Sequence, residues 1–408
     1  MLADCCVSRR GVLTIGAGAA LTGLIGEGLS TRLAFAGTPY TGDTLVVLSL
    51  RGGFDGLSAI VPIGDAEYYK ARPNIAVPKT NVIAGDAMFG LHPAFAPLQA
   101  RWAAGTFGAV HAVGQPNPSR SHFQAMEDME RAAAGTSIRT GWLDRTLGVA
   151  GASFPMAGVA MGTSSPARLL SGPAPSLSML GVDSFKLNGN DAKTPMMGTL
   201  TKLFDGAPDL LAQPARAVGQ TLGTVGALPA YTPAATYPAT ALGNALRDVA
   251  RLVKGNVGLM AAAVDFGDWD MHEALGTAVK GQRMYDHLTE LALALDAFAT
   301  DLGDAFTRVT LVTLSEFGRR VAENGSRGVD HGNGNAMLLL GGGVRGGRVH
   351  GTWPGLAPAN LTAGDLTATT DYRTVIGEIL QRRCGLGALT EVFPNAASAA
   401  PLNVVSAR

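Results

Sequence analysis

The stretch Arg308–Gly332, RVTLVTLSEFGRRVAENGSRGVDHG, contains a strand and the long loop that follows it. The apolar, β-branched run Val309–Leu314 predicts a buried strand, and the run Ala336–Leu340 predicts the next one. The loop between them ends in Asp330-His331. Ligands of open α/β sheets bind beyond the carboxyl ends of strands. A carboxylate and an imidazole at such a place are donors that Zn²⁺ and similar ions accept.

Polar side chains follow three other predicted strands as well. These are Asp55 after Thr44–Leu50, the helix start Ser119–His122 after Phe107–Val113, and Asp268, Asp270 and His272 after Val257–Val264. Because the carboxyl ends of parallel strands share one edge of a sheet, we expect all four groups to meet there. The sequence leaves open whether Asp268 or Asp270 acts with His272.

Amphipathic helices alternate with these strands. Leu242, Leu246, Val249 and Val253 share one helix face, a second long helix runs from Met284 to Leu302, and Asp371 caps a third helix. This alternation predicts an α/β fold of three layers, a mostly parallel sheet between two helix layers. We predict one domain over residues 37–408, with an insertion or cap around 165–240, where Pro, Ala, Ser and Thr are frequent.

The composition excludes several classes of protein. Of 408 residues, 47% are hydrophobic and 16% are charged, which is typical of a globular chain and not of a disordered one. The net charge is zero, which argues against nucleic acid as the main partner.

The first 36 residues have the pattern of a twin-arginine signal peptide. Arg9 and Arg10 precede the mildly apolar run Gly11–Ile25, and Ala34-Phe35-Ala36 offers a small-x-small cleavage site. The apolar run is too short to span a bilayer, so we expect no stable transmembrane anchor. The sequence thus predicts a partner, the twin-arginine export machinery, and a periplasmic or extracellular location. Cleavage would leave Cys384 as the single cysteine, which excludes an internal disulfide.

Carboxylates and imidazoles that meet at one sheet edge would build a metal site, and two ions about 4 Å apart are a common form of such sites. The predicted cofactor is one or two divalent ions, with Zn or Ca, Mg and Mn as candidates. A serine beside the ions would attack an anionic ester. The predicted small-molecule partner is therefore an anionic ester.

Six segments carry a resemblance to a known family. They are RGGFDG, PSRSHFQAMED, GWLDR, DWDMHE, SEFGRR and VDHGNG. With the leader, they resemble an exported bacterial family known as domain of unknown function 1501. That family is similar in turn to the alkaline phosphatase and sulfatase superfamily, which implies an alkaline-phosphatase-like fold.

The superfamily resemblance also implies roles for individual residues. The implied metal ligands are Asp55, Asp270, His272, Asp330, His331 and His350. Ser121 or Ser119 would be the nucleophile, with Arg120 in the same catalytic turn. Pro116 stands where sulfatases have a modified Cys, which argues against the sulfatase mechanism in this chain. The purely structural alternatives are that Asp55 hydrogen-bonds to the backbone of its own turn and that Ser119 and Ser121 only cap the helix.

Further polar residues accompany these groups. Arg51, Arg120 and Arg319 are candidates for holding an anion, and Glu316 is a candidate ligand, general base or ion-pair partner of Arg319 or Arg320. The function that follows is metal-dependent hydrolysis of phosphate or sulfate esters by an exported protein. The alternative is a non-catalytic binding or assembly protein on the same scaffold. No Cys/His motif supports a third option, a redox or carrier protein.

Overall fold

The computed structural model describes residues 43–188, 196–387 and 389–408. The predicted signal peptide, with Arg9, Arg10 and the cleavage site at Ala36, lies outside the described residues.

Strands and helices both occur throughout the described chain. The strands are β1 Thr44–Leu50, β2 Ile60–Val61, β3 Ile83–Gly85, β4 Gly90–Leu91, β5 Phe107–Gly114, β6 Gly158–Met161, β7 Leu177–Met179, β8 Ala261–Phe266, β9 Val309–Leu314, β10 Asn335–Gly341, β11 Val349–His350 and β12 Thr370–Asp371. The helices are α1 Gly56–Ala59, α2 Ala66–Ala71, α3 Gln99–Ala103, α4 His122–Arg131, α5 Trp142–Val149, α6 Met196–Phe204, α7 Asp209–Gly226, α8 Ala241–Lys254, α9 Arg283–Leu302 and α10 Tyr372–Arg382.

The main sheet is mostly parallel, as predicted. Its order is β11-β5-β10-β9-β1-β8-β6-β7, with β12 also paired to β5, while β2, β4 and β3 form a small second sheet. Both β8 and β9 run parallel to β1, and Ser49 of β1 stands beside Asp265 on one side and Leu314 on the other. The carboxyl ends of these three central strands therefore lie at one edge.

Strand β10 is the exception, because it runs antiparallel to both of its neighbours, β9 and β5. The loop that joins β9 to β10 holds no helix that would carry the chain back across the sheet. The chain therefore re-enters the sheet at the edge where it left, and it can only run in the reverse direction. As a result, the whole segment 315–334 stays at the edge where the central parallel strands end.

Alternate residues of β1 define the two outer layers. Val46, Leu48 and Leu50 belong to the apolar cluster that includes helices α8 and α9. Leu45 and Val47 belong to the cluster on the opposite face, which includes α5 and α10. Because side chains of a strand point alternately to its two faces, a strand that is buried along its whole length requires cover on both sides. The predicted three-layer arrangement is confirmed.

Several boundaries differ from the prediction by a few residues. Strand β8 begins at Ala261 and extends to Phe266, so it includes the Asp265-Phe266 pair that the sequence placed in a loop. Helix α4 begins at His122, the last residue of the predicted helix start Ser119–His122, and it ends at Arg131, because Ala132 adopts a left-handed conformation. Asp371 caps α10 as predicted, since its side chain accepts the N–H of Arg373.

The region 165–240 contributes partly to the sheet, because its strand β7 pairs with β6 at one end. Helices α6 and α7 of the same region pack on each other. No helix in the described part of the chain is long and apolar enough to cross a membrane.

Asp144 of α5 gives the fold a pH dependence. Its carboxylate is only 1% exposed and accepts the N–H of Ala174 at 2.8 Å. Burial raises the pKa of Asp144 from 3.8 to about 6, against the opposing effects of that bond and of Arg145. The folded protein therefore holds a proton that the unfolded chain releases, so this contribution to stability is complete below about pH 4 and is lost towards pH 6.

We expect Asp144→Asn to remove this dependence. Relative to wild type, the variant's free energy of unfolding should rise between pH 4 and pH 6, by no more than about 3 kcal/mol at 1.36 kcal/mol per pKa unit. Urea unfolding at several pH values measures the difference. Parallel pH profiles of the two proteins would contradict the assignment.

Candidate metal centre

Asp270 lies at the centre of a cluster of imidazoles beyond the sheet edge. Its Oδ1 is 3.0 Å from Nε2 of His272 and 3.2 Å from Nε2 of His331. Its Oδ2 is 3.5 Å from Nε2 of His122. The residues come from the loop after β8, the loop after β9 and the first turn of α4, so the sheet brings together three remote parts of the chain.

The other nitrogen of each ring faces an acceptor. Nδ1 of His122 is 2.8 Å from Oε1 of Glu316, and Nδ1 of His272 is 2.8 Å from Oδ1 of Asp330. Nδ1 of His331 is 2.8 Å from the carbonyl oxygen of Arg120. Carboxylates and carbonyls only accept, so each Nδ1 carries a proton that it donates. In the neutral rings, each Nε2 is therefore a lone pair that points into the cluster.

Two of these lone pairs face each other, because Nε2 of His272 and Nε2 of His331 are 3.0 Å apart. One proton or one metal ion between them would relieve the repulsion of the two lone pairs. Nε2 of His122 is buried and has no hydrogen-bond partner. A single proton leaves that third nitrogen unsatisfied, whereas a metal ion accepts all three. His122, Asp270 and His331 have ligand atoms within 4.8 Å of one another, which is close enough to hold one ion.

The two acidic groups of the cluster stay ionised. Partial burial acts to raise the pKa of Asp270, but the hydrogen bond and charge of Arg319, with help from His272 and His331, lower it to about 2. The pKa of Asp330 is also lowered, first by its bond from Asn324 and then by its bond from His272. Both side chains are therefore carboxylates at neutral pH and are ready to bind a cation.

The buried side chain of Arg319 holds Asp270 in place. Its guanidinium is fully buried and donates to Oδ1 of Asp270 at 2.7 Å. It also donates to the backbone carbonyls of Gly52, Gly53, Trp269 and Val329. This saturated and inaccessible side chain holds three loops together. The sequence predicted that Arg319 holds an anion, whereas the structure buries it as a support of the cluster.

Gly52 allows the turn after β1 to approach the cluster closely. A Cβ at this residue would stand 2.7 Å from the backbone N of Asp270, and its φ of +113° is one that other residues rarely adopt. Gly52 N also donates to Oε1 of Glu316 at 2.8 Å. The turn Arg51-Gly52-Gly53 therefore approaches the cluster with its backbone atoms.

Asp55 does not join the cluster. Its two oxygens bind the guanidinium of Arg72 at 2.6 and 2.9 Å, and both side chains are buried. Arg72 also bonds Ser58 and the carbonyls of Arg320 and Val321. Burial acts to raise the pKa of Asp55, but the charge and hydrogen bonds of Arg72 outweigh it and lower the pKa. The sequence predicted Asp55 as a metal ligand, whereas the structure pairs its carboxylate with Arg72 and does not bring it into the cluster.

His350 also lies apart from the cluster. It sits in β11 opposite Val110, well before the end of β5, and its Nε2 contacts the carbonyl of Arg345. The predicted anion-binding Arg51 is bound to Glu130 and Asp265.

The predicted catalytic turn touches the cluster through its backbone and through His122. Ser121 caps α4 without a side-chain capping bond, and its N–H donates to Oγ of Ser119 at 3.2 Å. It lies between Arg120, whose carbonyl holds His331, and His122, which enters the cluster. The side chain of Arg120 pairs with Asp365. Glu316 is buried behind His122 as its hydrogen-bond partner.

His122 is the member that the sequence did not single out as a ligand. Its signal was present, since it stands at the first helical position after a strand end. Asp268 and Asp270 are now distinguished, because Asp268 pairs with Arg283 and only Asp270 enters the cluster.

Residues 102–378, more than half of the chain, match the family described as "Protein of unknown function (DUF1501)". No curated protein matches the chain.

Solved structures with similar folds include three bacterial proteins. The C-terminal periplasmic domain of EcEptC from Escherichia coli, in complex with Zn, is 10% identical with a TM-score of 0.34, and the match covers 77% of each chain. The lipoteichoic acid synthase LtaP from Listeria monocytogenes is 10% identical with a TM-score of 0.34, over 81% of this chain and 74% of that one. A phosphonate monoester hydrolase of Agrobacterium radiobacter is 10% identical with a TM-score of 0.36, over 87% and 78%. Likeness at this level supports no inference about the site.

Proposed function

This chain belongs to the DUF1501 family, and we propose that it is a hydrolase of phosphate or sulfate esters that works with one divalent metal ion. The proposed ligands are His122, Asp270, His272 and His331. One observation carries the proposal: three imidazoles, each anchored through Nδ1, direct their Nε2 atoms at one ionised carboxylate.

The donor set favours one class of ion. In a tetrahedral site with bonds of about 2.0–2.1 Å, two nitrogen ligands stand about 3.3 Å apart, and the observed separations of 3.0 and 3.2 Å among His272, His331 and Asp270 are close to this value. Three nitrogens and one oxygen suit Zn²⁺ and similar transition metals, whereas Ca²⁺ and Mg²⁺ prefer oxygen ligands only. Of the predicted candidates, we therefore propose Zn²⁺.

The number of ions is also narrowed. A second ion would need carboxylates besides Asp270, and Asp55, one of the predicted ligands, is paired with Arg72. Asp270 is 46% exposed and His272 is 42% exposed, so solvent and a small substrate reach the cluster. Such openness is typical of catalytic sites and not of closed structural ones.

The protein's own residues supply the rest of the chemistry. A bound ion would act as a Lewis acid toward an ester oxygen. Ser121 is exposed, and its Oγ makes no capping bond. It would form the bond to phosphorus or sulfur while the ester oxygen leaves, with the serine proton released to solvent and the leaving oxygen protonated by water. A water molecule would then cleave the serine ester and restore the hydroxyl.

We expect the full chain, purified without a His tag, to contain about one equivalent of metal and to hydrolyse members of a panel of phosphate and sulfate esters. Ser121→Ala should lower kcat by at least about 100-fold, because it removes the nucleophile, and should leave the metal content unchanged. Ser119→Ala is the matched control and should keep most of the activity. Metal-free protein, or equal turnover by Ser121→Ala, would refute the mechanism.

A second function, metal-dependent binding without turnover, is favoured by one observation. The three arginines predicted to hold the anion are all engaged: Arg51 by Glu130 and Asp265, Arg120 by Asp365 and Arg319 by Asp270. Metal analysis together with the ester panel discriminates, since this second function predicts bound metal in the absence of turnover on every ester.

Export through the twin-arginine machinery remains part of the proposal. It rests on Arg9, Arg10 and the cleavage pattern around Ala36. Cell fractionation with lysines in place of both arginines tests it, because the exported form should then disappear.

A further inference from the structure

We infer that Glu316 is a positioning residue that orients His122 and strengthens its Nε2 as a metal ligand. The inference rests on the proposed metal centre. It replaces the three roles that the sequence left open for Glu316, which were ligand, general base and partner of an arginine.

The contacts of Glu316 account for both carboxylate oxygens. Oε1 accepts the Nδ1–H of His122 and the N–H of Gly52, each at 2.8 Å. Oε2 is 3.3 Å from the hydroxyl of Ser315. The side chain is 2% exposed and directly follows β9. It is therefore positioned by the strand end, withdrawn from solvent, and directed at His122.

The ring of His122 is held on several sides. Its centroid lies 4.8 Å from that of Phe317 and 4.4 Å from that of His331. With Nδ1 committed to Glu316, the ring can direct only Nε2 toward Asp270. The absence of a hydrogen-bond partner for this buried Nε2 is the second observation that points to a ligand.

The three imidazoles differ in the partner behind them. His331 bonds a neutral carbonyl, and His272 bonds Asp330, which is 52% exposed. Only His122 bonds a carboxylate that is withdrawn from water. A carboxylate in a low-dielectric surrounding polarises the imidazole more strongly than one that water screens. We therefore expect the charge of Glu316 to matter more for metal affinity than that of Asp330.

The test is a Co²⁺ titration of the metal-free full chain, followed by visible absorption, which requires no substrate. Glu316→Gln should weaken Co²⁺ binding by about 10–100-fold, as loss of such partners commonly does, and should alter the spectrum of the bound ion. Asp330→Asn is the matched control and should weaken binding less. Glu316→Asp keeps the charge and should recover part of the affinity.

A double-mutant cycle separates this role from general support of the fold. If Glu316 acts through His122, then Glu316→Gln should cause little further loss in a His122→Ala background. Additive losses, or wild-type affinity and spectrum for Glu316→Gln, would overturn the inference. If wild type itself binds no Co²⁺, the metal centre fails along with it. If the wild-type protein binds Co²⁺ but hydrolyses no ester, only the proposed reaction is refuted.

Discussion

Asp270→Ala is expected to weaken binding of a divalent metal ion by more than about 100-fold, beyond the 10–100-fold typical of partners that do not touch the ion. The carboxylate is the one anionic atom pair within reach of all three imidazole Nε2 atoms. Its loss also leaves Arg319 facing the imidazoles, so that a buried positive charge repels an incoming ion. Competition with a chromophoric chelator measures the affinity.

Asp268→Asn provides the control on the same loop. Asp268 is 72% exposed and pairs only with Arg283. Its φ is +66°, which Asn tolerates, so the substitution removes a charge without straining the backbone. We expect unchanged metal affinity. Equal losses in the two variants would mean that general electrostatic attraction, and not ligation by Asp270, holds the ion.

Asp55→Ala is expected to lower the free energy of unfolding by about 3–5 kcal/mol, the usual cost of leaving one partner of a buried ion pair alone. Arg72 is fully buried and would lose both oxygens that it binds. Because Arg72 also holds the carbonyls of Arg320 and Val321, the start of the loop after β9 should loosen. Urea unfolding measures the loss.

The double variant Asp55→Ala/Arg72→Met should be more stable than Asp55→Ala alone, because it no longer buries an unpaired charge. Metal affinity of the folded Asp55→Ala protein, measured well below its unfolding midpoint, should match wild type within a few-fold. A selective loss of metal binding without destabilisation would restore Asp55 as a ligand.

The contrast between Asp55 and Asp270 shows what a strand-end position can predict. Each follows a buried strand of the same sheet, and the parallel registers bring both strand ends to one edge. The position of each residue after its strand therefore predicted correctly the sheet edge at which it lies. The two residues differ in their ion-pair partner. Asp55 is paired with the buried Arg72, whereas Asp270 is paired with Arg319 and remains in the cluster. Such pairing depends on side-chain directions that the spacing of residues does not contain.

His122 was missed for a related reason. The sequence predicted the helix start at Ser119–His122, and the two serine hydroxyls there are candidate nucleophiles. The ring becomes a candidate ligand only when Glu316 is seen to occupy its Nδ1, and those two residues are 194 positions apart. By contrast, the strands and amphipathic helices were predictable, because the apolar pattern that specifies them is local in sequence.

The bonds of Arg319 also bear on when the site can form. Its guanidinium closes onto Gly53 and Gly52, which precede it by 266 and 267 residues. Contacts so remote in sequence carry a large loop-closure cost and form late in folding. The ribosome must synthesise the chain as far as His331 before all three imidazoles of the cluster are present. An ion would therefore enter a nearly finished fold, and a truncated chain that ends before β9 would lack His331, Glu316 and Arg319.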